Sequence, residues 1–369
     1  MDQPACDLEA PDAAGAGPGE AAARAWMDHH LRLNDILTVG THNSYKQAIE
    51  PAVMAIVQRA APATWQGLDY EHPPLVKQLE DGARGLELDI IHDPEGGRYA
   101  HPALRKLAGL PEEPAYVVAM SQPGLKVLHI QDVDFRSSCE TYVGCLTQIR
   151  GWSSAHPDHT PILITMNTND SKSRAPGGTD GLPFDTVAYD NLDAEILSVF
   201  PRSQLIVPDD VRGDYPTLRE AVLAKGWPSL GWARGRIWFV VDEETPHIDA
   251  YRGGRRSLEG RVCFVNTDEA SPAGGYITLN EHSDLARIAA AVDVGYMVRT
   301  RADADTREAR TNDITRRDAA LASGAQYVST DYRRPETRLS DYHVRLPDEA
   351  ITVANPRRNP QRCAGIRIE

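Results

Sequence analysis

The chain has 369 residues, 41% of them hydrophobic, and this length suits an α/β barrel, which commonly exceeds ~250 residues as one domain. Its formal net charge of −14 argues against a nucleic-acid partner, which needs basic grooves, and disfavours lasting adsorption to anionic lipid, so any contact with a membrane surface should be transient. No run of ~18 apolar residues occurs, so no bilayer span is expected.

Residues 4–20 are rich in Ala, Gly and Pro with interspersed acids, which predicts a flexible leader over residues 1–25. No signal peptide is visible. Because Met1 precedes a segment resembling a mature secreted N-terminus, an export signal is expected to have been removed, which implies a secreted or periplasmic protein. The five cysteines point weakly to an oxidising compartment, and the odd count leaves at least one unpaired. A Cys139–Cys145 bond requires Cys139 to precede the helix that carries Cys145. Cys6 and Cys363 could tie the termini together, and Cys263, in an apolar run, reads as a buried thiol.

Eight strand-like runs follow, at residues 36–41, 85–90, 126–131, 161–167, 236–242, 261–266, 295–300 and 326–331. Helical patterns at 139–154 and 283–292 lie between them, the alternation expected of parallel βα units. The predicted fold is a TIM-like (β/α)8 barrel over residues 26–350, with an inserted lobe at about 170–235 after the fourth strand and a C-terminal tail at 351–369. Polar marks cluster at the carboxyl ends of the runs, where barrel enzymes keep their sites.

The first such mark is Thr41-His42-Asn43-Ser44-Tyr45, at the exit of the first run. In the second run Glu87 and Asp89 stand at i and i+2, so on a strand they share one face while Leu86, Leu88 and Ile90 fill the other. Two facing acids repel unless neutralised, and a hard divalent cation held by carboxylate and amide oxygens is the common remedy. Asn43 supplies the amide. The competing reading is a solvated strand end with incidental acids. His101, twelve residues past Asp89 across the turn-forming Asp93-Pro94-Glu95-Gly96-Gly97, offers a second histidine for acid–base chemistry. His92 and His129 are rivals for that role.

These residues, with the segments 127–137, 152–157, Arg299-Thr300-Arg301-Ala302-Asp303-Ala304-Asp305-Thr306 and 323–331, resemble the calcium-dependent phosphatidylinositol-specific phospholipases C of the secreted bacterial type. That family belongs to a wider phosphodiesterase superfamily built on a TIM-like barrel, and the resemblance runs from about residue 34 to about 347. It implies His42 and His101 as paired histidines, Asn43, Glu87 and Asp89 as calcium ligands, and Glu87 also as general base. In the reaction it implies, a ring hydroxyl of inositol attacks the phosphodiester, a histidine protonates the departing diacylglycerol oxygen, and a cyclic inositol phosphate results. Calcium and a histidine would steady the growing charge on the phosphate oxygens.

One strand departs from the pattern. Where the family presents a glutamate that completes the metal site and a lysine two residues on, this chain has Asn167 and Asn169, which should weaken calcium binding unless Asp170 compensates from the loop. Arg299 and Arg301 would either clamp a phosphate or neutralise nearby acids, and Asp134 and His129 invite the same substrate-binding reading. The expected protein is a monomeric calcium-dependent phosphodiesterase acting on phosphatidylinositol or a related phospholipid by internal attack. The alternatives are a metal-dependent glycerophosphodiesterase using water, or a barrel that binds phosphate or a lipid headgroup without turnover.

Overall fold

The computed structural model describes residues 20–358 and 367–369. Strands β1 (Ile36–Thr41) and β2 (Gly85–Ile91) are buried at every position, as expected of strands covered on one face by helices and on the other by a packed interior. The antiparallel β3 (Lys126–Val127) pairs with the end of β2. Beside β2 on its other edge lies the parallel β4 (Ile162–Asn169), in a register that sets Asp89 against Asn167. The short β5 (Leu205–Ile206) and the longer β6 (Ile237–Val241) follow, β6 pairing with β4, with β5 at its start and with β7 (Phe264–Val265) at its end. A second sheet runs β8 (Tyr276–Thr278), β9 (Met297–Arg301), β10 (Tyr327–Thr330) and β1, all parallel, with β11 (Thr352–Ala354) antiparallel on β1.

The two sheets meet at both edges. At one seam Asn266 bridges Tyr276 in parallel register. At the other, Ser44 N–H donates to Glu87 O at 2.9 Å and Arg84 N–H to Val39 O at 3.4 Å. A Cβ on Gly40 would lie 2.3 Å from Gly85 O, so only glycine permits this approach. The ring β1–β2–β4–β6–β7–β8–β9–β10 is thus eight parallel strands, a TIM-like barrel.

Its membership differs from the sequence expectation. The run at 126–131 yields only the two-residue β3, because the chain turns back at Ile130, whose N–H donates to Asp134 O at 3.0 Å while its carbonyl accepts from Asp134 N–H at 2.9 Å. The vacant place is taken by β8, three residues long and hard to read from letters alone. Trp238 of β6 packs its ring 5.5 to 5.9 Å from those of Phe264, Tyr276 and Tyr327, which fills the interior with aromatic bulk.

Residues 351–358 and 367–369 are not a plain tail: β11 extends the second sheet, Val353 bridges Arg367, and Glu369 pairs with Arg84. Residues 20–25 of the expected leader begin a helix, Glu20–His30; residues 1–19 lie outside the described residues. Cys139 precedes the helix Tyr142–Ala155 and bonds Cys145 with a Cα–Cα distance of 5.2 Å. Cys263 is a buried free thiol, and the Cys6–Cys363 pairing lies outside the described residues. Most of the span 170–235 packs on the barrel as β5 and the helices Thr186–Val199, Pro208–Arg212, Leu218–Ala224 and Leu230–Ala233, while Ser171 and Arg174 reach the site described next. Among the described residues no helix is long and apolar enough to cross a membrane.

Candidate active site

The loop leaving β1 is held in a fixed shape by local hydrogen bonds. Asn43 adopts φ 47, a left-handed conformation that asparagine tolerates better than most residues. Ser44 Oγ lies 2.7 Å from Thr41 Oγ1 and accepts the Glu87 N–H at 2.8 Å. Gln78 clamps the turn, accepting from Thr41 Oγ1 and donating to Ser44 O, both at 2.6 Å. His42 and Asn43 are therefore placed against β2 by backbone geometry rather than by side-chain packing alone.

His42 sits at the centre of a charged network. Its Nδ1 lies 2.8 Å from Asp331 Oδ1, its Nε2 lies 3.5 Å from Glu87 Oε1, and Arg301 brackets the ring with nitrogens 3.3 Å from each. Arg301 also donates to Asp331 Oδ2 at 3.3 Å. Burial, followed by the Arg301 charge, pushes the His42 imidazole well below its usual range despite Glu87. Burial alone would raise Glu87, but Arg299, His42 and Arg301 outweigh it and hold the carboxyl low. Arg299 donates to Glu87 Oε2 and reaches Asn280 Oδ1 at 3.3 Å.

The second histidine of this site is His129, not His101. His129 follows the short β3, where Leu128 N–H donates to Asp89 O, and its Nδ1 lies 2.8 Å from Asp134 Oδ2. Burial lowers the His129 pKa, but the hydrogen bond and charge of Asp134 outweigh it and raise the imidazole above its usual range. Asp134 is itself held low, against its burial, by the buried Lys46 ammonium 3.2 Å away and by His129. His42 and His129 line one cavity of about 470 Å³ with Arg301, Asp331, Tyr70, Asn169, Arg174 and six other residues. His101 is 62% exposed, pairs with Glu112 at 2.6 Å and lines a separate cavity of about 580 Å³ beside Arg105 and Phe135. The loop after β2 turns outward at Gly96 and Gly97, with φ 81 and 83, which carries His101 away. His92, half-buried, packs against Phe184.

Asn43, Glu87 and Asp89 are buried. Asn43 Oδ1 and Asp89 Oδ1 have no hydrogen-bond partner, and Asn167 lies beside Asp89 in register. Bare buried oxygens of this kind are costly unless something meets them, and two carboxylates with two amides form the hard-oxygen set that calcium takes. The residues present fit calcium. A cage of three or more His, Cys, Asp or Glu is absent among the described residues, since two of these four donors are amides. Burial and then the Glu87 charge raise Asp89 to about 7, against the opposing charge of His129. Asp170 does not complete the set: it is exposed and faces Phe184 N and His247. Asn167 donates Nδ2 to Asp242 O at 2.6 Å.

The sequence reading passes over Tyr70, Lys46 and Asp242. Tyr70 hydroxyl accepts from Asn43 Nδ2 at 2.9 Å, and Asp242, at the exit of β6, is raised to about 6 chiefly by burial. Only Asp242, a carboxylate ending a strand run, carries a legible signal.

Two histidines, two arginines and an oxygen cage at the carboxyl ends of barrel strands define a phosphodiesterase-type site. The profile of the Ca2+-dependent phosphoinositide phospholipase C family matches residues 31–356, and the chain belongs to that family. It is thus a phospholipase C-type enzyme of a calcium-dependent family. Among solved structures, the calcium-dependent phosphoinositol-specific phospholipase C of a Gram-negative Pseudomonas, apo form, is similar at TM-score 0.53 and 14% identity, over 88% of this chain and 96% of that one. The Ca2+-dependent phosphatidylinositol-specific phospholipase C from Streptomyces antibioticus is similar at TM-score 0.52 and 18% identity, over 82% of this chain and 95% of that one. At these identities the likeness is one of fold. None of the curated proteins matches the chain significantly.

Proposed function

We propose that the enzyme cleaves phosphatidylinositol or a closely related phospholipid by attack of a headgroup hydroxyl on its own phosphodiester, releasing a cyclic phosphate and a lipid alcohol. The observation that carries this reading is the pairing of His42 and His129 in one cavity, each oriented through Nδ1 by a buried carboxylate, Asp331 and Asp134. Each ring then presents Nε2 for proton transfer. The two environments push the imidazoles apart, which divides the labour between them. His42, neutral, takes the proton of the attacking hydroxyl at Nε2. His129, charged, gives its proton to the departing lipid oxygen. Glu87 is a poorer base than the sequence reading supposes, because Arg299 holds its carboxyl ionised and engaged. Arg301 faces the cavity from the His42 side and supplies guanidinium donors to phosphate oxygens. Asn43, Glu87, Asp89 and Asn167 would hold calcium, which when bound supplies charge stabilisation to the phosphorane oxygens.

Internal attack is favoured over the water-using glycerophosphodiesterase reading because base and acid face one cavity, where a single headgroup can meet both. A secreted or periplasmic location is part of this reading, supported by the Cys139–Cys145 bond. The test is phosphorus NMR of the products from phosphatidylinositol in mixed micelles with calcium, and again in excess chelator. A cyclic inositol phosphate formed only with calcium is expected. A non-cyclic phosphate as first product points to water as nucleophile, and undiminished turnover in chelator removes the metal.

A further inference from the structure

We propose that Arg299 is the resident counter-cation of the oxygen cage: its guanidinium holds Glu87 in the metal-free protein and swings toward Asp242 when calcium takes that carboxylate. The inference rests on the reading of Asn43, Glu87, Asp89 and Asn167 as the metal site. It starts from an asymmetry within that set. Asn43 Oδ1 and Asp89 Oδ1 are buried and bare, whereas Glu87 has Oε2 taken by Arg299, with Oε1 3.5 Å from His42 Nε2. Arg299 reaches Glu87 from β9, 212 residues away, and its side chain is only 5% exposed. Such a buried pair is a commitment, since removing either partner leaves a charge stranded in the interior.

The charge count sharpens this. With Asn167 in place of an acid, the cage holds two carboxylates, and a guanidinium against one of them halves its formal charge. A divalent cation and a guanidinium on the same carboxylate repel each other strongly at interior dielectric. Calcium therefore binds at the expense of the Arg299–Glu87 contact. The guanidinium has somewhere to go: its other nitrogen already touches Asn280 Oδ1 at 3.3 Å and lies 3.9 Å from Asp242 Oδ2. Asp242 is buried, and Arg299 is the cation that faces it. A short swing keeps Arg299 paired throughout. The metal affinity of this chain is then set by a competition between two cations, as well as by the number of anionic ligands.

The test is a calcium titration by calorimetry, with thermal melts in calcium and in chelator, on the wild type, Arg299→Gln and Asp242→Asn. Arg299→Gln is expected to bind calcium at least tenfold more tightly than the wild type, and to melt lower in chelator while gaining more from calcium. Asp242→Asn, which removes the landing place, is expected to bind calcium more weakly, and this variant decides the matter if Arg299→Gln does not fold. Unchanged or weakened affinity in Arg299→Gln, or unchanged affinity in Asp242→Asn, overturns the competition while leaving the metal site standing. If neither the wild type nor Arg299→Gln takes up calcium, the cage itself is misassigned and both readings fall.

Discussion

At the scale of single residues, the decisive feature is that each histidine of the cavity leans on a carboxylate whose own charge is settled elsewhere: Asp331 by Arg301, Asp134 by Lys46. Replacing His42 or His129 by alanine should each lower turnover by at least ~10², the usual contribution of a general acid or base, whereas His101→Ala should leave it near the wild-type rate. Steady-state kinetics on micellar substrate, with circular dichroism to confirm folding, decides this, and an inactive His101→Ala would reverse the assignment. Asp134→Asn probes the acid more finely. Burial lowers the His129 pKa and Asp134 raises it, so a neutral amide leaves burial to win. The protonated acid is then lost at lower pH, and the alkaline limb of the pH–rate profile should move downward; an unmoved limb means that His129 is not the group titrating there. At the metal, Asn167→Glu adds an anionic oxygen beside Asp89 and should tighten calcium in a calorimetric titration. It should also lower the melting temperature in chelator, since it gives up the hydrogen bond to Asp242 O and crowds another carboxylate against Asp89 and Asp242. Unaltered calcium affinity would mean that position 167 does not face the metal.

At the scale of elements, the seam between β1 and β2 is what brings His42 to Glu87. Gly40 lies against Gly85, with room for hydrogen but not for Cβ. Gly40→Ala should therefore force the strands apart and cost about 1–3 kcal/mol, the usual penalty of overpacking, read as a lower midpoint in urea; because the Ser44–Glu87 bonds share the seam, activity should fall with it. An unshifted midpoint would show that the seam yields. What the letters disclose follows from range. Glu87 and Asp89 sharing a face and the Thr41–Tyr45 turn are local consequences of alternation and turn chemistry, so they are readable, whereas the helical pattern at 139–154 takes in Cys139 and overruns the true helix start at Tyr142. The choice between His101 and His129 depends on which loop folds back, and positive-φ glycines at 96 and 97 turn one away with no signature that distinguishes a surface turn from an active-site turn. The three-residue β8 is defined by its neighbours Asn266 and Met297, not by its own pattern. The Arg299–Glu87 pair joins strands on different sheets, and no spacing rule reaches that far.

At the scale of the whole molecule, the chemistry at the carboxyl ends of the strands depends on a barrel tied together elsewhere. Arg84, just before β2, is held by Glu369, whose carboxylate also accepts from Thr160 N at 2.7 Å and Thr160 Oγ1 at 2.6 Å, just before β4. One carboxylate at the end of the chain thus joins the entrances of two neighbouring barrel strands. Burial would raise its pKa, but the hydrogen bond and charge of Arg84 and the bonds from Thr160 outweigh it, and the folded value lies below the usual range. A depressed carboxyl contributes stability above its unfolded pKa of about 4.3 and loses that contribution as pH falls through the folded value. Glu369→Gln should consequently cost about 1.5–3 kcal/mol at neutral pH, the scale of hydrogen bonds to a charged group. The gap between variant and wild type should narrow as pH drops below about 4, because the wild type then loses the same charge. Urea denaturation at pH 7 and at pH 3.5 compares the gap above and within that window. A gap that stays constant across it would mean that the carboxylate's charge contributes nothing and that Glu369 anchors the barrel only through its shape and neutral hydrogen bonds.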